Sequence, residues 1–347
     1  MKYEEIMQKV TSGLTGNPEA DGKYLFAQME EYKTHELAQE ILRGVGRLLY
    51  DVLPAEKREE MDRLIGNNRL GVDSAIEEAE FQIHKKNFDR ALEILESVIK
   101  KSEDDTGELV MFRDDKVSEY HCFRNIFEEI IYKEMFKPER TVRQMSEDFT
   151  HLYCVYGSLL FELKRYDEAD AALKKAIRIN PIATEARFEL AEINKVKGDW
   201  KDFLKQTIQC LAVAYSSVNI GRCYRNIGYY FIEQQNFDAA TAIYFISMQY
   251  DRQSQMAQSQ LLYIQQVTGK QVQSPSNEEF VQIFKQHEIP SGANEIVLGI
   301  AVALGKSARE QGHFDAARFF FSILYDLTFD DEVKGWIESL PASESKK

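Results

Sequence analysis

Imidazole serves both general acid–base chemistry and metal binding, so the histidines are the first residues to weigh. There are six, at His35, His84, His121, His151, His287 and His313. No two stand three or four residues apart, which excludes an HExxH-type metal helix. His121 and Cys122 are adjacent, but neighbouring side chains on a helix point about 100° apart and do not form a metal site or a nucleophile–base pair. The four cysteines, Cys122, Cys154, Cys210 and Cys223, lack CxxC spacing and lie among apolar residues, the pattern of buried thiols. Paired carboxylates such as Glu77-Glu78, Glu128-Glu129 and Glu278-Glu279 read as solvated helix faces, because acid–base work needs two carboxylates converging in a pocket. No GxGxxG, GxxxxGK[ST] or GxSxG occurs, so phosphate loops and hydrolase elbows have no candidate. The expectation is a non-enzymatic protein with no catalytic residue, metal or cofactor.

Charge narrows the partners. The 347 residues carry 43 Lys and Arg against 57 Asp and Glu, a formal net charge of −14. Without a clustered basic face such a chain repels nucleic acid and anionic membrane. Its least polar stretch, 296–305, is about half of the roughly 20 residues that a membrane span needs. The first 22 residues hold no apolar core of signal-peptide length, and the expected compartment is the cytoplasm.

A recurring phrase organises the chain. It reads KKNFDRA at 85–91, KRYDEA at 164–169, KGDWKDF at 197–203, QQNFDAA at 234–240 and QGHFDAA at 311–317. Each copy has a polar or Gly turn, one aromatic, usually an Asp, and then Ala or Phe opening an apolar stretch. The aromatics Phe88, Tyr166, Trp200, Phe237 and Phe314 are separated by 78, 34, 37 and 77 residues, so each long gap approximates two periods plus a short insertion. Gly157, Gly228 and Gly305 leave room for two helices to cross closely, and Ala169, Ala240 and Ala317 do the same on the second helix. Asp167, Asp238 and Asp315 are expected to cap that second helix, and Pro181 to stop it.

In the best copy, Tyr153, Tyr156, Gly157, Leu160, Ala169, Leu173, Ala176 and Pro181 hold a fixed spacing. That spacing resembles the tetratricopeptide repeat, whose period is 34 residues. The copy with Tyr224, Ile227, Gly228, Phe231, Ala240 and Tyr244 and the copy with Leu304, Gly305, Ala317 and Phe321 match well. Looser copies carry Ala79, Ala91 and Leu95, and Leu190, Ala191 and Asn194. The resemblance implies an all-α, right-handed superhelical α-solenoid of antiparallel helix pairs. Copies fall near 72–103, 150–183, 184–217, 221–254 and 298–331, with degenerate pairs near 117–136 and 255–288. Residues 1–70 are expected to form an N-terminal helical cap, with one long helix from about Tyr24 to Val52 and a shorter one over 55–65. Residues 71–341 form the array, closed by a helix over 331–340, and 342–347 a disordered tail.

The resemblance also implies a concave surface lined by the first helix of each pair. Its positions fall on His151, Cys154 and Ser158, on Glu185, Phe188, Glu189 and Glu192, and on Arg222, Arg225, Asn226 and Tyr229. Cys154 and Ser158 stand where chaperone-binding members carry the Lys and Asn of a two-carboxylate clamp, so that clamp is not expected. The strip sets an acidic patch and one exposed aromatic, Phe188, beside a basic patch. Arg225 and Asn226 either hold a carboxylate or backbone of a bound peptide, or Arg225 pairs with Glu189 or Glu192 across the groove. The leading expectation is a scaffold that binds a peptide segment or helix of another protein. The second is a peptide-gated bacterial signalling regulator with an N-terminal helical effector module, in which Gln28 or Gln39 could act. Open array ends also leave room for a homodimer.

Overall fold

The structure is a computed structural model that describes residues 3–35, 37–52 and 71–341, and it divides into two compact units, Met1–Leu70 and Gly71–Lys347. In the first unit the helices Tyr3–Ser12, Pro18–Tyr32 and Ala38–Val52 enclose Ile6, Val10, Leu25, Tyr32, Ile41, Val45 and Leu49. The long helix expected from Tyr24 is thus two helices. One uninterrupted rod cannot bury its own apolar stripe, whereas breaking it after Tyr32 lets Leu25 and Tyr32 meet Ile41, Val45 and Leu49. Asn17 caps the second helix, and the Asp21 carboxylate fixes the preceding turn by accepting from the Thr15 amide and hydroxyl and the Gly16 amide. Those bonds hold its carboxyl below the usual range, the Thr15 amide contributing most. The helix expected over 55–65 and the tail at 342–347 lie outside the described residues.

The second unit is an all-α solenoid of stacked helix pairs. The pairs are Val72–His84 with Phe88–Ser102, Phe149–Glu162 with Tyr166–Ile179, Thr184–Lys197 with Trp200–Val213, Ser217–Glu233 with Phe237–Tyr250, and Glu295–Glu310 with Phe314–Thr328; between the last two, the helices Gln255–Thr268 and Asn277–Gln286 pack on Phe237–Tyr250. Asp331–Glu338 follows as a last helix. Among the described residues no helix is long and apolar enough to cross a membrane.

The recurring phrase is a helix-to-helix turn of one geometry. Two residues before each aromatic, Lys86, Lys164, Gly198, Gln235 and Gly312 adopt left-handed backbone, with φ of 59°, 61°, 71°, 58° and 77°. The next amide returns to a carbonyl of the first helix, for example Arg165 N to Leu160 O at 2.9 Å and His313 N to Ala308 O at 2.8 Å. This is the Schellman arrangement, which satisfies the last carbonyls of a helix. The same residue then serves as N-cap of the second helix, at Asn87, Arg165, Asp199, Asn236 and His313. Asp167, Asp238 and Asp315 are therefore not caps. The aromatic takes the first helical position and puts the Asp inside the first turn, where it complements the positive end of the helix dipole.

The gap between the first two pairs departs from the expected degenerate helix pair. Ser118–His121 and Thr141–Gln144 form a two-stranded parallel sheet in the register Ser118↔Thr141 to His121↔Gln144, and the helix Ile126–Phe136 is the crossover between them. Only that helix fulfils the apolar periodicity read over 117–136. Tyr120 and His121 belong to a strand, in which successive side chains alternate faces. Phe127 lies edge-on to Tyr215 at 5.5 Å and tilted against Phe320 at 5.8 Å, so the crossover helix joins the core of the later pairs. Over 255–288 the two expected helices form, but each packs on Phe237–Tyr250 rather than chiefly on the other.

Candidate functional site

A groove of about 600 Å³ runs along the first helices of the first three pairs. Val72–His84 contributes Glu80, Ile83 and His84; Phe149–Glu162 contributes His151, Cys154, Val155, Ser158, Leu159 and Glu162; Thr184–Lys197 contributes Glu185 and Glu189. The three helices present these residues together because each opens its pair and stacks on the next in the same orientation. Cys154, Val155 and Leu159 give an apolar floor, and the rim is charged. Arg124 enters from the loop before the crossover helix, with its guanidinium 2.6 Å from Glu185 and its Nε 3.1 Å from the fully buried Glu128. His151 Nε2 lies 3.1 Å from Glu80.

The residues expected on the strip are not all equivalent. His151, Glu185 and Glu189 come together in the groove with Cys154 and Ser158. Phe188, expected to be exposed, is 2% exposed: its ring belongs to the hydrophobic core, and the Arg222 guanidinium lies over it at 4.1 Å. Arg225 pairs with neither Glu189 nor Glu192. It donates to Asp251, the C-cap of the second helix of its own pair, at 2.8 Å, while Arg222 is the cation near Glu189, at 3.9 Å. Glu192 is held by Lys195 at 3.2 Å. Tyr229 packs on Trp200 and Phe203, with the Lys195 ammonium 4.4 Å above its ring. Asn226 keeps a buried Nδ2 with no hydrogen-bond partner. The expected basic patch is therefore largely neutralised, Arg225 by an ion pair and Arg222 by a ring and a carboxylate. Gln28 belongs to the first unit and donates to Glu31 at 3.0 Å.

Of the lining, Ile83, His84, Asp148, Thr150, Val155 and Leu159 also lay outside the expected strip, and so did three further charged residues. Glu80 occupies the same position in the loosest copy as the other concave residues, and aligning that copy on Ala79 would have found it. Glu162 lies one turn beyond Ser158 on a helix already assigned. Arg124 carries no sequence signal, since a non-repeated loop delivers it.

Burial governs the titration of the groove. The Glu189 carboxyl is pushed up first by burial and then by Glu192 and Glu162, against the opposing pull of Arg222 and a Ser158 hydrogen bond. Burial pushes the Cys154 thiol up to about 12 and the Cys122 thiol up to about 11, so both remain thiols at neutral pH and are poor nucleophiles. A disulfide-exchange reagent at pH 8 is expected to leave them unmodified in the folded chain and to react with all four cysteines in denaturant. Fast reaction of Cys154 in the native chain would contradict its burial. Among the described residues, no group of three or more His, Cys, Asp and Glu could hold a metal ion.

Residues 150–182 match the family profile described as Tetratricopeptide repeat. A search of curated protein sequences finds no match. Among solved structures, the chain is similar to a tetratricopeptide repeat protein from Parabacteroides merdae ATCC 43184, with 12% identity, 97% of each chain covered and a TM-score of 0.39. It is similar to MamA protein, with 13% identity, 62% of this chain and 88% of that one covered and a TM-score of 0.38. A third is YrrB, described as a TPR protein with an unusual peptide-binding site, with 14% identity, 62% and 99% covered and a TM-score of 0.30.

Proposed function

We propose that the chain, whose residues 150–182 match the tetratricopeptide-repeat profile, is a tetratricopeptide-repeat protein and a non-enzymatic interaction scaffold that holds a segment of another protein in the groove between Glu80 and Glu189. The observation that carries this reading is the groove itself, about 600 Å³ with an apolar floor at Cys154, Val155 and Leu159 inside a charged rim. Apolar burial supplies affinity along such a floor, and the rim groups fix the register of the bound chain. An extended segment or a single helix suits a groove shaped by parallel first helices better than a small molecule, because successive pairs offer contacts along a line. The buried, unpartnered Nδ2 of Asn226, one pair further on, is a donor suited to a backbone carbonyl.

Ser158 lies in the groove, half-buried between the floor and Glu162. Ser158→Trp is expected to fill the groove and to abolish recovery of the partner that the wild-type chain retains from its native lysate. Lys174→Trp, on the exposed side of the Tyr166–Ile179 helix, is expected to retain it. Unchanged recovery with Ser158→Trp would overturn the groove assignment.

A further inference from the structure

We propose that the groove selects a positively charged segment, and that a Lys or Arg side chain of the ligand lies along the Cys154–Val155–Leu159 floor with its charged head between Glu162 and Glu189. The proposal rests on the groove reading above and adds the chemistry of the occupant. Five carboxylates line the groove, from Glu80, Asp148, Glu162, Glu185 and Glu189, against the single cation Arg124. That cation is already committed to Glu185 and to the buried Glu128. Asp148 is committed to the helix it caps, accepting from the His151 amide at 2.8 Å, and Glu80 faces His151.

Glu162 and Glu189 are left. Glu162 is exposed and has no salt bridge among the described residues. Glu189 accepts a hydrogen bond from Ser158, and its one cation is Arg222, at 3.9 Å, whose guanidinium is spread over the Phe188 ring. Glu162 and Glu192 both bear on Glu189 with like charge while burial strips it of water. Like charges in a partly desolvated wall repel, and a cation placed among them relieves that repulsion and gains charge-assisted hydrogen bonds. An ammonium or guanidinium on an aliphatic stem fits both halves of the site, its methylenes on the apolar floor and its head at the carboxylates. An acidic or neutral segment would leave the Glu162–Glu189 wall uncompensated.

The test uses the full chain and a short fluorescein-labelled peptide of Ala, Leu and Lys, with twins in which Gln or Glu replaces every Lys, read by fluorescence anisotropy at low and physiological salt. The Lys peptide is expected to bind tightest, the Glu twin weakest, and the Lys affinity to fall as salt rises. Glu162→Gln with Glu189→Gln is expected to weaken the Lys peptide at least tenfold, the size of one lost charge-assisted bond of about 1.4 kcal/mol, and to leave the Gln twin unchanged. Glu278→Gln, exposed and outside the groove, is expected to change nothing. Equal binding of the Lys and Gln peptides overturns the proposal, as does no binding of the Lys peptide, or a loss with Glu278→Gln as large as with the groove pair. The Ser158→Trp chain separates the two readings. If all three peptides bind alike and are lost with Ser158→Trp, the groove stands and its charge selectivity falls. If Ser158→Trp leaves Lys-peptide binding intact, the groove reading itself falls.

Discussion

Glu128→Ala is expected to lower the stability of the Gly71–Lys347 unit by about 3–5 kcal/mol, the usual cost of removing one partner from a buried ion pair. Glu128 has no exposed surface, yet its carboxylate accepts four hydrogen bonds: from the Arg124 amide at 2.9 Å, Arg124 Nε at 3.1 Å, Asn180 Nδ2 at 2.8 Å and the Tyr215 hydroxyl at 2.9 Å. These donors come from the loop before the crossover helix, the end of the Tyr166–Ile179 helix and the turn before Ser217. One side chain therefore ties the inserted segment to two repeat pairs. Asn180, itself fully buried, would keep an amide with no acceptor, and unpaired buried donors each cost about 1–3 kcal/mol. Glu128→Gln keeps the shape and one acceptor oxygen and is expected to lose less. Urea unfolding followed by helical circular dichroism checks both. A loss below about 1 kcal/mol for the Ala variant would mean that the network adds little to stability.

Gly305→Ala is expected to destabilise the same unit by about 2–3 kcal/mol, at the upper end of the cost of overpacking a filled core. A methyl at 305 would lie 2.4 Å from the Phe321 ring. Phe321 is fully buried and confined by Trp336 at 5.3 Å, so neither ring nor helix can yield cheaply. Gly299 on the same helix is exposed and has open space beside it. Gly299→Ala is expected to stabilise by up to about 1 kcal/mol through helix propensity alone. Thermal unfolding of the two variants should move in opposite directions, and a shift in the same direction would refute the close-crossing account of Gly305. Gly157 and Gly228 face Leu173 and Tyr244 at 2.6 and 2.9 Å, the same crossing in two other copies.

That crossing explains why so much of the fold was legible. Gly157, Gly228 and Gly305 each meet a second-helix residue at the same interval, and the left-handed turn residue always stands two before the aromatic. Such rules act within one helix pair, and repetition writes them into the sequence several times. Where the repeat lapses, legibility lapses. Residues 117–136 carry helical periodicity, yet Ser118–His121 is a strand, because its pairing with Thr141–Gln144 depends on a segment beyond the crossover helix.

The candidate site divides along the same line. The sequence by itself determined the all-α repeat solenoid and which helices face the groove, since both follow from local spacing. Tertiary structure decided which charges remain available there. Arg124 reaches Glu185 across 61 residues and Glu80 reaches His151 across 71, while Arg225 turns to Asp251 and Arg222 covers Phe188. Electrostatic pairing is settled by proximity in space, and a repeat pattern that fixes backbone register does not fix which long side chain finds which partner.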